Sequence, residues 1–267
     1  MKGNQRDRFL GTVRSALGHA GDLSRQAPNG LFPTHPSEKS LARLERIRHR
    51  QEDERDALIQ RLKTAAEPIS LEVHCVSSAS GAATVMVDKI VSVPTEWNGP
   101  RQVCTWNDPL IDSLGLKSLL AKHGIPVVSM TDFVPLADAD RISADQQAAL
   151  RKGVVDSFVG ITTADFCVAD TGTLVLRTRP GQPRSVSLVP SIHMAVITAD
   201  RIVANFKELY AILRWNSPDD GVDLSTCMTF ISGPSKTADI EATLVHGAHG
   251  PRAMVLIVIY KKNSLRQ

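Results

Sequence analysis

The chain has 267 residues, of which 42% are hydrophobic, 22% charged and 4% aromatic, and its formal net charge is +3. This composition is typical of a globular protein and offers few aromatic rings on which nucleic-acid bases could stack, so nucleic acid is not an expected partner. No apolar run reaches the ~18 residues that suggest a membrane span. The first residues also lack the apolar stretch of a secretory signal, so we expect a cytoplasmic protein.

The first part of the chain, residues 1–66, is predicted to form an N-terminal helical arm. It carries 13 Lys/Arg against 8 Asp/Glu, so it holds the excess of positive charge. Apolar residues recur at helical spacing over residues 6–19 and 38–66, and a Gly/Pro-rich loop separates the two stretches. Such an arm could bind an anionic partner, but the acidic residues interleaved in it favour a solvated helix surface. We expect it to contribute little to the core.

From residue 69 onward, strand-like and helix-like segments alternate. This pattern predicts an α/β domain over residues 69–260, with a doubly wound, mostly parallel sheet. Three consecutive strand-like segments without an intervening helix then predict a mixed or antiparallel insertion. The predicted strands are 69–75, 101–106, 125–129, 154–160, 172–178, 186–189, 194–198, 228–231 and 254–260, and the predicted helices are 82–93, 110–123, 143–153 and 206–215. In such folds ligands bind beyond the carboxyl ends of the strands, where the strand order reverses.

A first polar turn, Asp170-Thr171-Gly172-Thr173, precedes a strand-like segment. Gly172 can adopt a positive φ and let the backbone approach a ligand, and the two threonines supply hydroxyl donors. An ordinary turn would also favour these residue types.

A second polar turn begins at Ser232-Gly233 and leads into Ser235, Lys236 and Thr237. The pattern predicts a strand, a turn, a short helix, a glycine stop and a final strand. The free backbone N–H groups at a helix start favour an anion. Helix capping by Ser and Thr, with Asp239 in the first turn, is the structural alternative.

Four elements together resemble the LUD-domain family, whose best-known members are lactate-utilisation proteins. They are Asp170-Thr-Gly-Thr173, Leu188-Val-Pro-Ser-Ile-His193, Ser232 to Glu241, and His246-Gly-Ala-His-Gly-Pro251. The resemblance covers roughly residues 69–260. The family usually has Glu where this chain has Asp170, which shortens the reach of the carboxylate.

The resemblance implies the fold shared by ribose-5-phosphate isomerases and CoA-transferases. It also implies a place in a multi-subunit system that oxidises L-lactate to pyruvate alongside iron–sulfur partners. No two cysteines of this chain lie within four residues of each other, so it matches a cluster-free component that carries no cofactor. Iron–sulfur clusters are expected only in the partner subunits. The four cysteines are Cys75, Cys104, Cys167 and Cys227.

The implied role is to bind a small anionic ligand or to scaffold the iron–sulfur partners, and whether this chain catalyses a step stays open. The alternative is a stand-alone enzyme that acts on a sugar phosphate or an acyl-CoA. A CoA-transferase would need a carboxylate nucleophile, for which Asp170 and Glu241 are the candidates. No metal is expected, because glycines interrupt the segment that holds His246 and His249. The candidate ligand-binding residues are Asp170, Thr171, Gly172, Thr173, His193, Ser232, Gly233, Ser235, Lys236, Thr237, Asp239 and His249.

A basic segment, Arg177 to Arg184, reads as a hairpin-like loop. It could contact a phosphate or a carboxylate, or it could be a solvated turn.

Overall fold

The computed structural model describes residues 3–16, 18, 35–95, 99–132, 143–215, 227–238, 244–247 and 249–260. The chain divides into two units, residues 1–37 and 38–267. The helices are α1 (Gly3–Ala16), α2 (Glu38–Arg48), α3 (Glu52–Ala66), α4 (Ala79–Ser92), α5 (Pro109–Ser113), α6 (Leu116–Ala121), α7 (Ala144–Val155), α8 (Ser185–Leu188) and α9 (Phe206–Trp215). None of the described helices has the length and apolar character needed to cross a membrane.

The strands are β1 (Leu71–Val76), β2 (Gln102–Thr105), β3 (Val127–Ser129), β4 (Ser157–Thr163), β5 (Phe166–Val168), β6 (Thr173–Arg177), β7 (Ile192–Thr198), β8 (Ile202–Val203), β9 (Met228–Ile231), β10 (Lys236–Ala238), β11 (Leu244–His246) and β12 (Ala253–Ile259). Six of them form the main sheet in the order β1-β12-β7-β4-β2-β3, and every adjacent pair is parallel. All the strand starts therefore lie at one edge, the amino edge, and all the strand ends at the other, the carboxyl edge.

A second sheet, in the order β8-β5-β6-β9, combines one parallel pair with two antiparallel pairs. The predicted fold class, α/β with a mostly parallel sheet and a mixed insertion, is therefore confirmed. The strand predicted at 186–189 is wrong, because residues 186–188 lie in the short helix α8 and Val189 is its C-cap. A segment of four residues is too short for apolar spacing to separate a strand from one helical turn.

The helix predicted after Ser235 is also wrong, because β10 and β11 form an antiparallel hairpin in which Lys236 lies opposite His246. Backbone hydrogen bonds extend the hairpin beyond its strands: Gly247 donates to the Ser235 carbonyl at 3.0 Å, and Ser235 donates to the Pro251 carbonyl at 2.8 Å. Ser and Thr favour a helix start, but antiparallel pairing with β11, the next strand of the chain, outweighs that preference. Asp239 and Glu241 lie outside the described residues.

Helices α2 and α3, in the second half of the predicted arm, supply residues to the core. Leu62 is fully buried with the main core, and Leu44 is buried with the second sheet and α9. The Arg50 guanidinium donates to the Glu208 carboxylate at 2.7 Å and to the Ile202 carbonyl at 3.0 Å, and both charged side chains are at least nine-tenths buried. This pair fixes the α2–α3 junction to β8 and α9.

Two truncations test how the arm contributes to the fold. Deleting residues 1–37 should leave the cooperativity and the midpoint of urea unfolding unchanged. Deleting residues 1–66 should destabilise the chain by at least ~3 kcal/mol, because it removes Leu62 and leaves Glu208 buried without Arg50. Circular dichroism during urea titration measures both. A fully stable 67–267 chain would show that α2 and α3 are dispensable, as the boundary at residue 66 implies.

Candidate functional site

The two polar turns meet next to the amino edge of the main sheet. The Thr173 hydroxyl lies 2.8 Å from that of Ser232 and 2.7 Å from that of Thr171. They meet because β6 and β9 are antiparallel with Leu174 opposite Ile231, which brings the residue before Leu174 next to the residue after β9. We call residues 170–173 and 232–236 the turn cluster. Its place differs from the carboxyl edge expected from the general rule for α/β folds.

Ile69, just before β1, packs against both glycines of the turn cluster. Gly172 has φ 62° and Gly233 has φ 83°, values that L-residues rarely adopt. A Cβ atom on Gly172 would lie 2.8 Å from the Ile69 Cδ1, and one on Gly233 would overlap the Ile69 carbonyl oxygen. The positive φ therefore favours glycine at both positions, and at Gly233 the Ile69 carbonyl also leaves no room for a Cβ atom.

Lys236 is exposed, and its Nζ donates to the Ser70 hydroxyl at 2.9 Å. Because Lys236 starts β10 and no helix, a helix dipole contributes nothing to anion binding here. Ser70 itself has φ 58°, the only positive value among the described non-glycine residues, and such strain often marks a functional position. Sequence reasoning missed Ser70, because its closeness to Lys236 arises only from the tertiary fold.

Asp170 forms an ion pair with Arg61, a half-exposed residue of α3. Its backbone N–H donates to the Ala204 carbonyl at 3.2 Å. The carboxylate is thus held by a cation from the predicted arm, and a nucleophilic role would require Arg61 to move. Nothing in the sequence around Arg61 indicates this contact, which joins residues more than a hundred positions apart.

His193 lies within the sheet, fully buried on β7, with its Nε2 at 2.8 Å from the Thr162 hydroxyl of β4. Burial lowers the pKa of His193 to about 3, so the ring is neutral at physiological pH. His249 is exposed, and Thr237 lies in β10. Asp239 lies outside the described residues, so its relation to the turn cluster stays a prediction. Among the described residues, no group of three or more His, Cys, Asp or Glu is placed to hold a metal ion.

A cavity of about 680 Å³ lies at the opposite, carboxyl edge of the sheet. In its wall the Asp165 carboxylate binds two guanidiniums: Arg177 Nε donates at 2.9 Å, and Arg179 forms a second ion pair. Burial raises the pKa of Asp165. Hydrogen bonds from Arg179 and from the Arg177 backbone, together with the positive charges of the two arginines, outweigh this effect, so the pKa of Asp165 lies below its usual value. The basic segment 177–184 thus contacts a carboxylate of its own chain.

The family model of the LUD domain matches residues 59–259. The chain belongs to the LUD domain family. The family resemblance of the sequence motifs is thereby confirmed. The matched region begins within α3 and includes the turn cluster and most residues of the carboxyl-edge cavity, but not its α2 residues.

Similar LUD-family proteins are named "Lactate utilization protein C". The one from Halalkalibacterium halodurans is 37% identical over 60% of this chain and 63% of its own length, slightly under two thirds. Those from Geobacillus sp. (strain WCH70) and Shouchella clausii are 29% and 30% identical, and each alignment covers 96% of this chain and at least 96% of the relative. A crystal structure of a DUF162 family protein from Deinococcus radiodurans aligns with a TM-score of 0.47 and 19% identity, over 77% of this chain and 98% of that one.

Replacing the LUD-family turn glycines by alanine separates backbone strain from steric overlap. Gly115→Ala is the matched control, because Gly115 has φ 63° and open space around it; it should cost about 1 kcal/mol in unfolding free energy. Gly172→Ala should cost about 1–2 kcal/mol, since the end of the Ile69 side chain can shift. Gly233→Ala should cost ~3 kcal/mol or more, since a backbone carbonyl cannot. Equal losses for all three in urea denaturation would contradict the packing against Ile69.

Proposed function

We propose that this chain is the cluster-free component of a multi-subunit system that oxidises L-lactate to pyruvate, and that it binds a small anion at the turn cluster. The observation that carries the proposal is the extent of similarity to proteins named "Lactate utilization protein C". Two of those alignments span 96% or more of both chains, so they include the arm as well as the shared domain.

The turn cluster offers the donors that a small carboxylate requires. Lys236 supplies an exposed ammonium group. The hydroxyl groups of Thr171 and Ser232 are both within hydrogen-bond distance of the Thr173 hydroxyl. Thr171 and Ser232 are exposed, whereas Thr173 is buried. L-lactate carries a carboxylate and a neighbouring hydroxyl, which match a cation beside hydroxyl groups. The packing of Gly172 and Gly233 against Ile69 holds these donors in fixed positions, which reduces the ordering cost of binding.

The other candidate residues would contribute to this proposed site indirectly or only by analogy with the family motif. Ser235 is fixed through its backbone to Gly247 and Pro251. Asp170 places a second cation, Arg61, beside the first turn. His193 would act only from the interior, as a neutral ring that orients Thr162. Roles for Thr237, Asp239 and His249 rest on the family motif alone.

We infer that the iron–sulfur clusters which accept the electrons belong to partner subunits. Cluster ligation requires cysteine thiolates. No two of the four cysteines of this chain lie within four residues of each other, unlike the closely spaced ligands of cluster motifs. The chain would then bind substrate or hold the partners together while electrons pass through their clusters.

The test is L-lactate-dependent pyruvate formation by the chain reconstituted with its iron–sulfur partners. Lys236→Ala should lower the rate at least tenfold, because one charge-assisted contact to an anion is worth roughly 1.5–3 kcal/mol. It should barely change the unfolding midpoint, because it removes only one exposed hydrogen bond to Ser70. Lys117→Ala is the matched control, since Lys117 is an exposed lysine of α6, 78% accessible.

Two outcomes would contradict the proposal. An unchanged rate for Lys236→Ala would exclude Lys236 as an anion ligand. An unchanged rate when the whole chain is omitted would exclude the lactate role itself. Turnover of a sugar phosphate or an acyl-CoA by the isolated chain would instead support the stand-alone enzyme.

A further inference from the structure

The cavity at the carboxyl edge occupies the point where the strand order reverses. From β2 the chain passes to β3 on one side, whereas from β4 it passes, through the second sheet, to β7 on the other. Such reversal points are where open α/β sheets usually bind ligands. The Thr163 hydroxyl, at the end of β4, donates to the carboxylate of Asp108, which follows β2, at 2.9 Å. This hydrogen bond joins the carboxyl ends of β2 and β4.

Four arginines, one of them Arg48 of α2, and three aspartates line the cavity, so its wall carries a net charge of +1. Two guanidiniums, from Arg177 and Arg179, face the single carboxylate of Asp165. Arg177 is 9% exposed, whereas the side chain of Arg179 is 41% exposed and can contact a ligand. Arg201 also lines the cavity, and its Nε lies 3.6 Å from Asp200 in a pair with both side chains more than half exposed. An exposed pair of this kind holds its arginine only weakly.

Two of the three carboxylates of the cavity, Asp165 and Asp108, oppose an anion only weakly, and the third, Asp200, is exposed and paired with Arg201. Asp165 already accepts bonds from two arginines, and Asp108 accepts from the Leu110 backbone N–H at 2.9 Å and from the Gln182 amide at 3.3 Å. Their acceptor positions are thus directed into the protein. Arg48 is paired with Glu45, which does not line the cavity. Arg179 and Arg201, next to the strand ends, are the partly exposed cations to which we expect an anion to bind.

Apolar side chains form one patch of the otherwise polar cavity wall. The patch is formed by Leu44 and Ile47 of α2, Phe166 of β5, Ile197 of β7 and Ile212 of α9. A volume of about 680 Å³ is in the range of pockets that hold ligands of drug or cofactor size, so it exceeds what a three-carbon acid would fill. The wall therefore suits a ligand with an apolar body and an anionic end.

We propose that this cavity binds an amphipathic organic anion, with a carboxylate or phosphate on Arg179 and Arg201 and an apolar body against α2 and α9. The site lies at the opposite edge of the sheet from the turn cluster. It is independent of the proposed lactate role, because direct binding to the isolated chain tests it and lactate oxidation does not.

Isothermal titration of the full-length chain with butyrate, hexanoate and octanoate tests this proposal. Affinity should rise about fourfold for each added methylene group, as expected when each is buried on an apolar wall. Octanamide, which lacks the charge, should bind at least tenfold more weakly than octanoate. Monooctyl phosphate is the paired probe: tighter binding than octanoate assigns a phosphate to the anionic end, and weaker binding assigns a carboxylate.

The variants locate the binding. Arg179→Gln should weaken octanoate at least tenfold. Arg201→Gln should weaken it as well and serves if the first variant fails to fold. Arg46→Gln is the matched control and should bind like the native chain, because Arg46 is an exposed, ion-paired arginine of α2 that does not line the cavity. Ile47→Ala should weaken octanoate more than butyrate.

Three results would overturn the proposal. These are no heat of binding from octanoate at its solubility limit, octanamide binding as tightly as octanoate, or octanoate affinity unaffected by both Arg179→Gln and Arg201→Gln. Each would be compatible with an intact lactate role at the turn cluster.

Discussion

Parallel pairing of all six strands of the main sheet is the constraint on which the rest of the structure depends. It places the start of every strand at one edge and the end of every strand at the other. Ile69 and Ser70 precede β1 at the amino edge, where the two family turns meet. Asp108 and Thr163 are found at the carboxyl edge, where the strand order reverses and the cavity opens. Parallel pairing thus places two chemically different surfaces at opposite edges of the main sheet.

Different interactions fix the side chains at the two edges of the main sheet. At the amino edge, positive φ at Gly172 and Gly233 allows both turns to contact Ile69, so steric fit fixes the hydroxyl groups. At the carboxyl edge, charge has the equivalent role: Asp165 remains ionised because its arginine partners outweigh its burial, and it orients Arg177 and Arg179. Donors fixed by packing suit a small ligand, and a larger cavity with charged groups and an apolar patch suits a larger one.

The wall of the cavity depends on a buried ion pair outside it. Arg50 and Glu208 join the junction of α2 and α3 to α9, which brings Leu44 and Ile212 into the same wall. A buried pair adds little net stability over a hydrophobic contact, but loss of one partner leaves a buried charge. The positively charged segment before the LUD-matched region therefore has a structural role that its charge alone does not suggest.

Local sequence patterns predicted what depends on local structure. Alternation of strands and helices after residue 69 gave the mostly parallel sheet, and the Thr-Gly-Thr and Ser-Gly-Pro-Ser motifs gave the family. Patterns failed in two short segments. Residues 236–238 pair in a hairpin although Ser and Thr before them favour a helix start, and residues 186–189 were too few for apolar spacing to identify a helix. Asp165 had no signal of its own, because its significance comes from Arg177 and Arg179 on the next strand and the loop after it.

Ligands of different chemistry are expected at opposite edges of the main sheet, a small anion at the turn cluster and an amphipathic anion in the cavity. Backbone amide NMR shifts, followed during separate titrations with L-lactate and octanoate, test this expectation most directly. L-lactate should shift amides of residues 170–173 and 232–236, and octanoate should shift those of 163–166, 177–182 and 198–201. Shifts from both compounds at the same edge, or octanoate shifts centred on the exposed side chains of Val155 and Val189 instead, would contradict it.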